Sequence, residues 1–141
     1  MLQLKNKILF LLLGLILLNF LAWAAVFQCP SGLLEVNYFA IGQGDSIFIQ
    51  TPARQQILID GGPDDTVLKK LNEEMPFWDR SINLLVLTHP ESDHISGLLE
   101  VLDHYEVKYV MWNGIDGSTA RYHKWKEALK KEGCGQIIAQ E

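Results

Sequence analysis

The chain has 141 residues, of which 48% are hydrophobic and 21% charged, with 11 glycines and 5 prolines. That balance excludes a disordered, collagen-like or disulfide-stapled chain and leaves room for one domain built round a core. The net charge is −5, and of the 12 basic residues only Lys5 and Lys7 fall in the first 29, so the remainder carries ten against 17 acidic side chains. Binding a phosphate polymer by counterion release needs clustered Lys and Arg, so composition excludes a broad nucleic-acid-binding surface and leaves only local basic spots. Cys29 and Cys134 lie in no C-x-x-C pair and make no disulfide framework.

From Ile8 to Phe27 only Gly14 and Asn19 are not apolar. At 1.5 Å per residue such a run crosses a hydrocarbon core of about 30 Å. Lys5 and Lys7 precede it and no charge follows before Glu35, which predicts a cytoplasmic N-terminus with the rest of the chain across the membrane. Residues 1–29 are therefore a transmembrane anchor. The alternative is a signal peptide cleaved at Ala22-Trp23-Ala24, and both readings export the domain. Phe27 and Gln28 before Cys29 do not suit a lipid-acylation site.

Pro30-Ser31-Gly32 punctuates the exit, and Leu33 to Ala40 reads as a first strand. Gly42-Gln43-Gly44-Asp45 reads as a tight turn into a second strand at Ser46–Ile49, closing a hairpin. Gln56–Asp60 is a third strand, stopped by Gly61-Gly62-Pro63. Asp64 or Asp65 then caps a helix with Val67, Leu68, Leu71 and Met75 on one stripe, ended by Pro76. Ile82–Leu87 is polar only at Asn83, as expected of a central strand covered on both faces. His94–Tyr105 has Ile95, Leu98, Leu99 and Leu102 on one face and reads as a helix capped by Asp93. Val107–Trp112 is a strand, Ser118–Lys131 a helix with Trp125, Ala128 and Leu129 inward and Gly133 as its stop, and Ile137-Ile138 begins another strand. Strands followed by strands alternating with helices imply a layered α/β domain.

One segment carries chemistry: Thr88-His89-Pro90-Glu91-Ser92-Asp93-His94, between the most apolar strand and a helix. Four metal-competent side chains fall within six residues, and a loop at the end of a strand can turn several toward one point. Asp60 ends the neighbouring strand and can join them. Packing alone would leave His89 and His94 as hydrogen-bonded loop residues and Asp93 as a cap, which does not account for so dense a set.

With these residues in view the chain resembles the metallo-β-lactamase superfamily, and within it the hydrolase domain of ComEC-type competence proteins and their stand-alone relatives. The resemblance rests on Gly42-Gln43-Gly44-Asp45-Ser46, similar to a V-G-Q-G-D-[SA] hairpin, on Ile57-Leu58-Ile59-Asp60-Gly61-Gly62, and on Thr88-His89 to His94, similar to H-x-[HD]-x-D-H. It implies that residues 33–141 form the first half of an αββα sandwich, with further chain expected beyond Glu141 to supply the later metal ligands. It implies two divalent metal ions, zinc or else manganese or iron, with His89 and Glu91 on the first, Asp93 and His94 on the second, Asp60 holding the ligand loop, and Asp93 orienting water. Two departures stand out: Glu91 sits where the superfamily has His and the competence branch Asp, and Ala40 replaces an acid common before the turn. The implied activity is hydrolysis of a phosphodiester such as DNA; the alternative is a non-catalytic or incomplete membrane-anchored fragment.

The remaining features are blander. His104 and His123 lie on polar helix faces and read as solvated. Gly61-Gly62 has no following Lys-Ser/Thr and is no phosphate loop. Arg121, His123, Lys124, Lys126, Lys130 and Lys131 form a basic cluster, but Glu127 and Glu132 interleave at ion-pair spacing, which reads as a solvated helix face. Trp23 reads as an interfacial anchor and Trp78, Trp112 and Trp125 as packing residues. No protein partner is inferable.

Overall fold

A computed structural model describes residues 2–28 and 32–139, which fall into two compact units, residues 1–32 and 33–141. Cys29, Pro30 and Ser31, which the sequence reading treats as the exit from the apolar segment, lie outside the described residues. The first unit is helix α1 (Leu2–Gln28). Its Lys5–Ala24 stretch, with a mean hydropathy of 2.2 and no buried residue in its apolar window, is long and apolar enough to cross a membrane. Asn19 returns its amide to the carbonyl of Leu15 within the helix, which satisfies the one strongly polar side chain between Ile8 and Phe27.

In the second unit β1 (Glu35–Tyr38), β2 (Ile47–Gln50), β3 (Gln56–Ile59), β4 (Ser81–Leu87), β5 (Glu106–Trp112) and β6 (Gly135–Ile138) form one sheet in sequential order. The first three strands are antiparallel, and β3 to β6 run parallel. Helices α2 (Thr66–Glu74), α3 (Ser92–His104) and α4 (Ala120–Glu132) are the crossovers between parallel neighbours. Right-handed crossovers that always advance to the next strand put all three helices on the same face of the sheet. This is the mixed α/β layering the sequence implies, and it agrees with part of a metallo-β-lactamase sandwich.

The core lies between that face and the helices. Phe48, Leu58, Leu85 and Val110 are aligned across four strands, and all are fully buried. Leu71, Leu98 and Trp125, one from each helix, close over them with no exposure. The next row along the strands, Ile47, Ile59, Val86 and Met111, faces the other way and is half-buried. The apolar run of β4 thus has helices over one face only among the described residues, where the sequence suggested cover on both.

Three further local expectations need correction. The first strand is four residues long rather than eight, since Leu33 and Leu34 lie before the ladder and Phe39 leaves it. Residues 42–45 do not close a tight hairpin but sit inside an eight-residue connection from Phe39 to Ser46, pulled inward by buried Ile41. Helix α3 begins two residues earlier than expected, with Glu91 at the capping position and Asp93 inside the first turn. Neither makes a side-chain capping bond there. An acid in the first turn still faces the positive end of the helix dipole, so the sequence signal was real although its position was shifted. Helix α4 is capped as a helix should be: Thr119 accepts from the backbone of Tyr122, and Gly133 turns left-handed at the exit.

Candidate metal centre

Parallel strands place their carboxyl ends together, and loops there can converge on a ligand. Asp60 follows β3 and Thr88-His89 follow β4, and the two exits are stitched by the Asp60 backbone donating to the carbonyl of Val86 at 2.9 Å. Asp60 has φ of 56°, a left-handed conformation that Asp tolerates better than most residues. This turn directs its carboxylate across to β4. Oδ1 accepts the Thr88 backbone N–H at 2.9 Å and Oδ2 the Thr88 hydroxyl at 2.6 Å.

The Thr88 hydroxyl has one proton. Having given it to Asp60, it accepts from His89 Nδ1, 2.8 Å away. The chain Asp60–Thr88–His89 therefore fixes the tautomer with hydrogen on Nδ1 and leaves the Nε2 lone pair free, the arrangement by which outer carboxylates orient metal-binding imidazoles. His89 Nε2 lies 3.8 Å from Glu91 Oε2, too far for a hydrogen bond. Two donors each about 2.1 Å from one tetrahedral ion stand about 3.4 Å apart, so the gap is near what a shared cation requires.

His94 comes from the first turn of α3. It is buried, its Nδ1 lies 2.9 Å from Asp60 Oδ2, and its ring centroid is 3.9 Å from that of His89. The Nδ1–carboxylate contact has ion-pair distance without hydrogen-bond alignment, so Nδ1 has no hydrogen-bond partner among the described residues. A buried imidazole nitrogen without an aligned partner calls for an explanation, and a cation bound between it and the neighbouring carboxylate is one. Ligand atoms of Asp60, His89 and His94 all lie within 4.8 Å of one another. The donor set of two imidazoles and a carboxylate suits zinc, manganese or iron. A cleft of about 340 Å³ opens beside the trio, lined also by Tyr38, Asp45 and Ser46. The Ser46 hydroxyl is buried there without a hydrogen-bond partner among the described residues.

Three glycines let this loop cluster close. Gly61 donates to the His94 carbonyl and Gly97 to that of Gly62, each at 3.0 Å, so the turn after β3 lies directly on α3. A side chain on either Gly61 or Gly97 would collide with backbone of the other segment. Gly44, with φ of 91°, brings the Gly42–Asp45 loop against the backbone of Asp93.

Of the residues singled out in sequence, the fold gathers His89, His94 and Asp60. Asp60 lies within the cluster, its carboxylate engaged by Thr88. Glu91 stands at the rim, largely exposed beside His89. Asp93 is half-buried and lines a neighbouring depression with Gln43, Glu91 and Arg121. His104 donates from Nδ1 to the carbonyl of Glu100 in its own helix, and His123 is exposed on α4, both apart from the cluster. Ser46 and Thr88 were missed as polar contributors: a Thr directly before the His could have signalled the tautomer-setting contact.

Residues 40–133 match the family model described as the metallo-beta-lactamase superfamily. The chain belongs to that superfamily. Among curated proteins it is 30% identical over 125 residues to ComE operon protein 3 of Bacillus subtilis strain 168, a match covering 77% of this chain and 16% of that protein. A solved diphosphatase of the PhnP family aligns with 24% identity and a TM-score of 0.46 over 68% of this chain and 37% of its own. This metallo-β-lactamase-like chain thus spans about a sixth of the length of its curated relative and under two-fifths of the solved one. Metallo-β-lactamase members bind divalent metals, and Asp60, His89 and His94 are grouped as a possible site for one.

Proposed function

We propose that the chain is the metal-binding part of a membrane-anchored hydrolase acting on phosphodiesters, DNA among them. The observation that carries the reading is the convergence of His89 and His94 on the carboxylate of Asp60, with His89 held in one tautomer by Thr88. His89 and Glu91 are the proposed ligands of one divalent ion, and Asp93 and His94 of a second, with Asp60 bracing both imidazoles. Such an ion pair, when bound, supplies an activated water and neutralises charge developing on the phosphoryl group. Asp93, half-buried at the amino end of α3, is the proposed base that orients the water and takes its proton. The cleft beside the trio admits the scissile group.

The substrate class is supported by the resemblance of the three motifs to the hydrolase domain of competence proteins, and the placement by α1. Lys5 and Lys7 before the apolar run favour a cytoplasmic N-terminus and an extracytoplasmic domain made of residues 33–141.

Turnover of bis-p-nitrophenyl phosphate by the full chain loaded with zinc or manganese tests the reading. Asp93→Asn is expected to lower kcat by about 100-fold or more, the contribution of a positioned base, with the melting temperature unchanged within a few degrees. Wild-type turnover in that variant would remove Asp93 from the mechanism. A wild-type chain that holds stoichiometric metal and turns nothing over would favour the non-catalytic reading.

A further inference from the structure

Between α2 and β4 the chain makes a turn with unusual residues at its tip. The Asp79 backbone donates to the carbonyl of Pro76 at 2.9 Å, which leaves Phe77 and Trp78 as the two central residues. Such positions favour Gly, Pro, Asn, Asp and Ser. Here they hold two aromatic rings, 78% and 59% exposed, set edge to face with their centroids 4.8 Å apart. Trp78, which the sequence suggested as a packing residue, thus stands mostly outside the core. The turn itself is firmly held. Asp79 accepts from the backbone and hydroxyl of Ser81 at 3.1 and 2.7 Å and from the side-chain amide of buried Gln56 at 2.7 Å, which pins the turn to the first residues of β3 and β4. Glu74, at the end of α2, accepts from Asn37 of β1 at 3.1 Å.

Strand directions fix which end of the domain this is. β1 is antiparallel to β2 and β2 to β3, so β1 runs parallel to β3, β4 and β5. The aromatic turn and the amino end of β1 therefore share one end of the sheet, and the metal centre, at the carboxyl ends of β3 and β4, lies at the other. The seven residues of β4, at about 3.3 Å each, separate the two by roughly 20 Å. Leu33 and Leu34, both exposed, lead into β1 at the end that bears the turn. Only residues 29–34 come between Gln28 of α1 and Glu35 of β1 in the sequence.

We propose that the Phe77-Trp78 turn is a second membrane contact, with both rings in the interface of the bilayer that α1 crosses. The proposal rests on the anchor reading of α1 and is independent of the hydrolase reading. Aromatic rings gain by leaving water, and Trp favours the headgroup level, where its body is shielded and its N–H stays wet. The exposed charges near this end, Glu35, Glu73, Glu74 and Glu106 against Arg54 and Arg80, are net acidic. Attraction to anionic lipid therefore does not supply the contact; burial of the rings does. With the turn in the lipid, the metal centre is held at the end of the domain far from the membrane.

The test uses the full chain reconstituted into phosphatidylcholine vesicles, compared with Trp78→Phe and Trp23→Phe. Subtracting each variant's emission from that of the wild type isolates one indole. Trp23, near the end of the apolar run, marks the outer interface, because the two lysines before the run favour a cytoplasmic N-terminus. Trp78 emission should be blue-shifted from that of tryptophan in water, protected from iodide, and quenched by lipid with brominated acyl chains to within about twofold of Trp23, since both indoles sit at headgroup depth. High salt should leave this result unchanged, because screening weakens charge attraction and not apolar burial. Trp78 emission quenched by iodide and not by brominated lipid would put the turn in water and overturn the proposal. Protection from both quenchers would put it against protein and overturn the proposal equally. Loss of lipid quenching at Trp78 alone leaves the anchor reading standing, whereas its loss at Trp23 as well removes that reading too.

Discussion

Replacing Gly97 with alanine should unfold the domain at a temperature lower by about 12–20 °C, a loss of roughly 3 kcal/mol or more for a unit of this size. The cause is local. Gly97 sits in the second turn of α3, where the turn after β3 crosses at backbone contact, and a Cβ there would lie 1.9 Å from the carbonyl oxygen of Gly61 and 2.9 Å from that of Asp64. Neither obstacle is the end of a flexible side chain. Relief requires α3 to lift from the turn, breaking the bonds from Gly61 to His94 and from Gly97 to Gly62. The same movement withdraws His94 from Asp60. Gly133→Ala is the control: its Cβ meets open space, and only the left-handed φ of 67° opposes it, at about 1 kcal/mol. Melting followed by the fluorescence of buried Trp112 and Trp125 separates the two. A Gly97→Ala protein melting within a few degrees of wild type would mean that the turn and α3 are not packed as described.

Asp60→Asn should weaken metal binding about 10- to 100-fold while leaving the backbone in place, because Asn accepts a left-handed φ as readily as Asp. The substitution keeps size and shape and removes one acceptor. Asp60 receives the Thr88 amide and hydroxyl on its two oxygens and lies 2.9 Å from His94 Nδ1. An amide must turn its NH2 toward at least one of these. If it faces the hydroxyl, Thr88 reverses and donates to His89 Nδ1, and the proton moves to Nε2, the nitrogen assigned to the metal. If it faces the Thr88 amide, two donors meet. Stability should also fall by about 1–3 kcal/mol, the cost of a buried donor left unmatched. Equilibrium dialysis against zinc gives the affinity, and unchanged binding would reduce Asp60 to a turn residue.

These two positions show how far the sequence could be read. Helix stripes and short β-rich runs located every described helix and strand of the second unit, since burial of Leu71, Leu98 or Trp125 leaves a period of 3.6, while Ile47-Phe48-Ile49 and Ile57-Leu58-Ile59 are short runs of β-favouring residues bounded by turn signals. The ends were less legible. Asp93 has the composition of a cap and Gly42-Gln43-Gly44-Asp45 that of a tight turn, yet the first lies inside α3 and the second in a longer loop, because Gly44 is used to approach Asp93 rather than to close a hairpin. Periodicity carries no information about such contacts between distant segments. The donor cluster was legible in His89 and His94, whose density in the loop has no packing explanation. The part of Thr88 was not, since it arises from which proton is left after Asp60 has taken its own.

Metal content is the most direct test of the central claim that the loop carrying His89 and His94, set by Asp60, binds divalent cations. The full chain and His89→Ala, purified without added metal and then dialysed against limiting zinc, are compared by atomic emission; His89 is half-exposed, so its truncation should spare the fold. The account predicts bound zinc in the wild type, falling to a tenth or less in the variant at equal folded fraction. Equal, stoichiometric zinc in both proteins would contradict it.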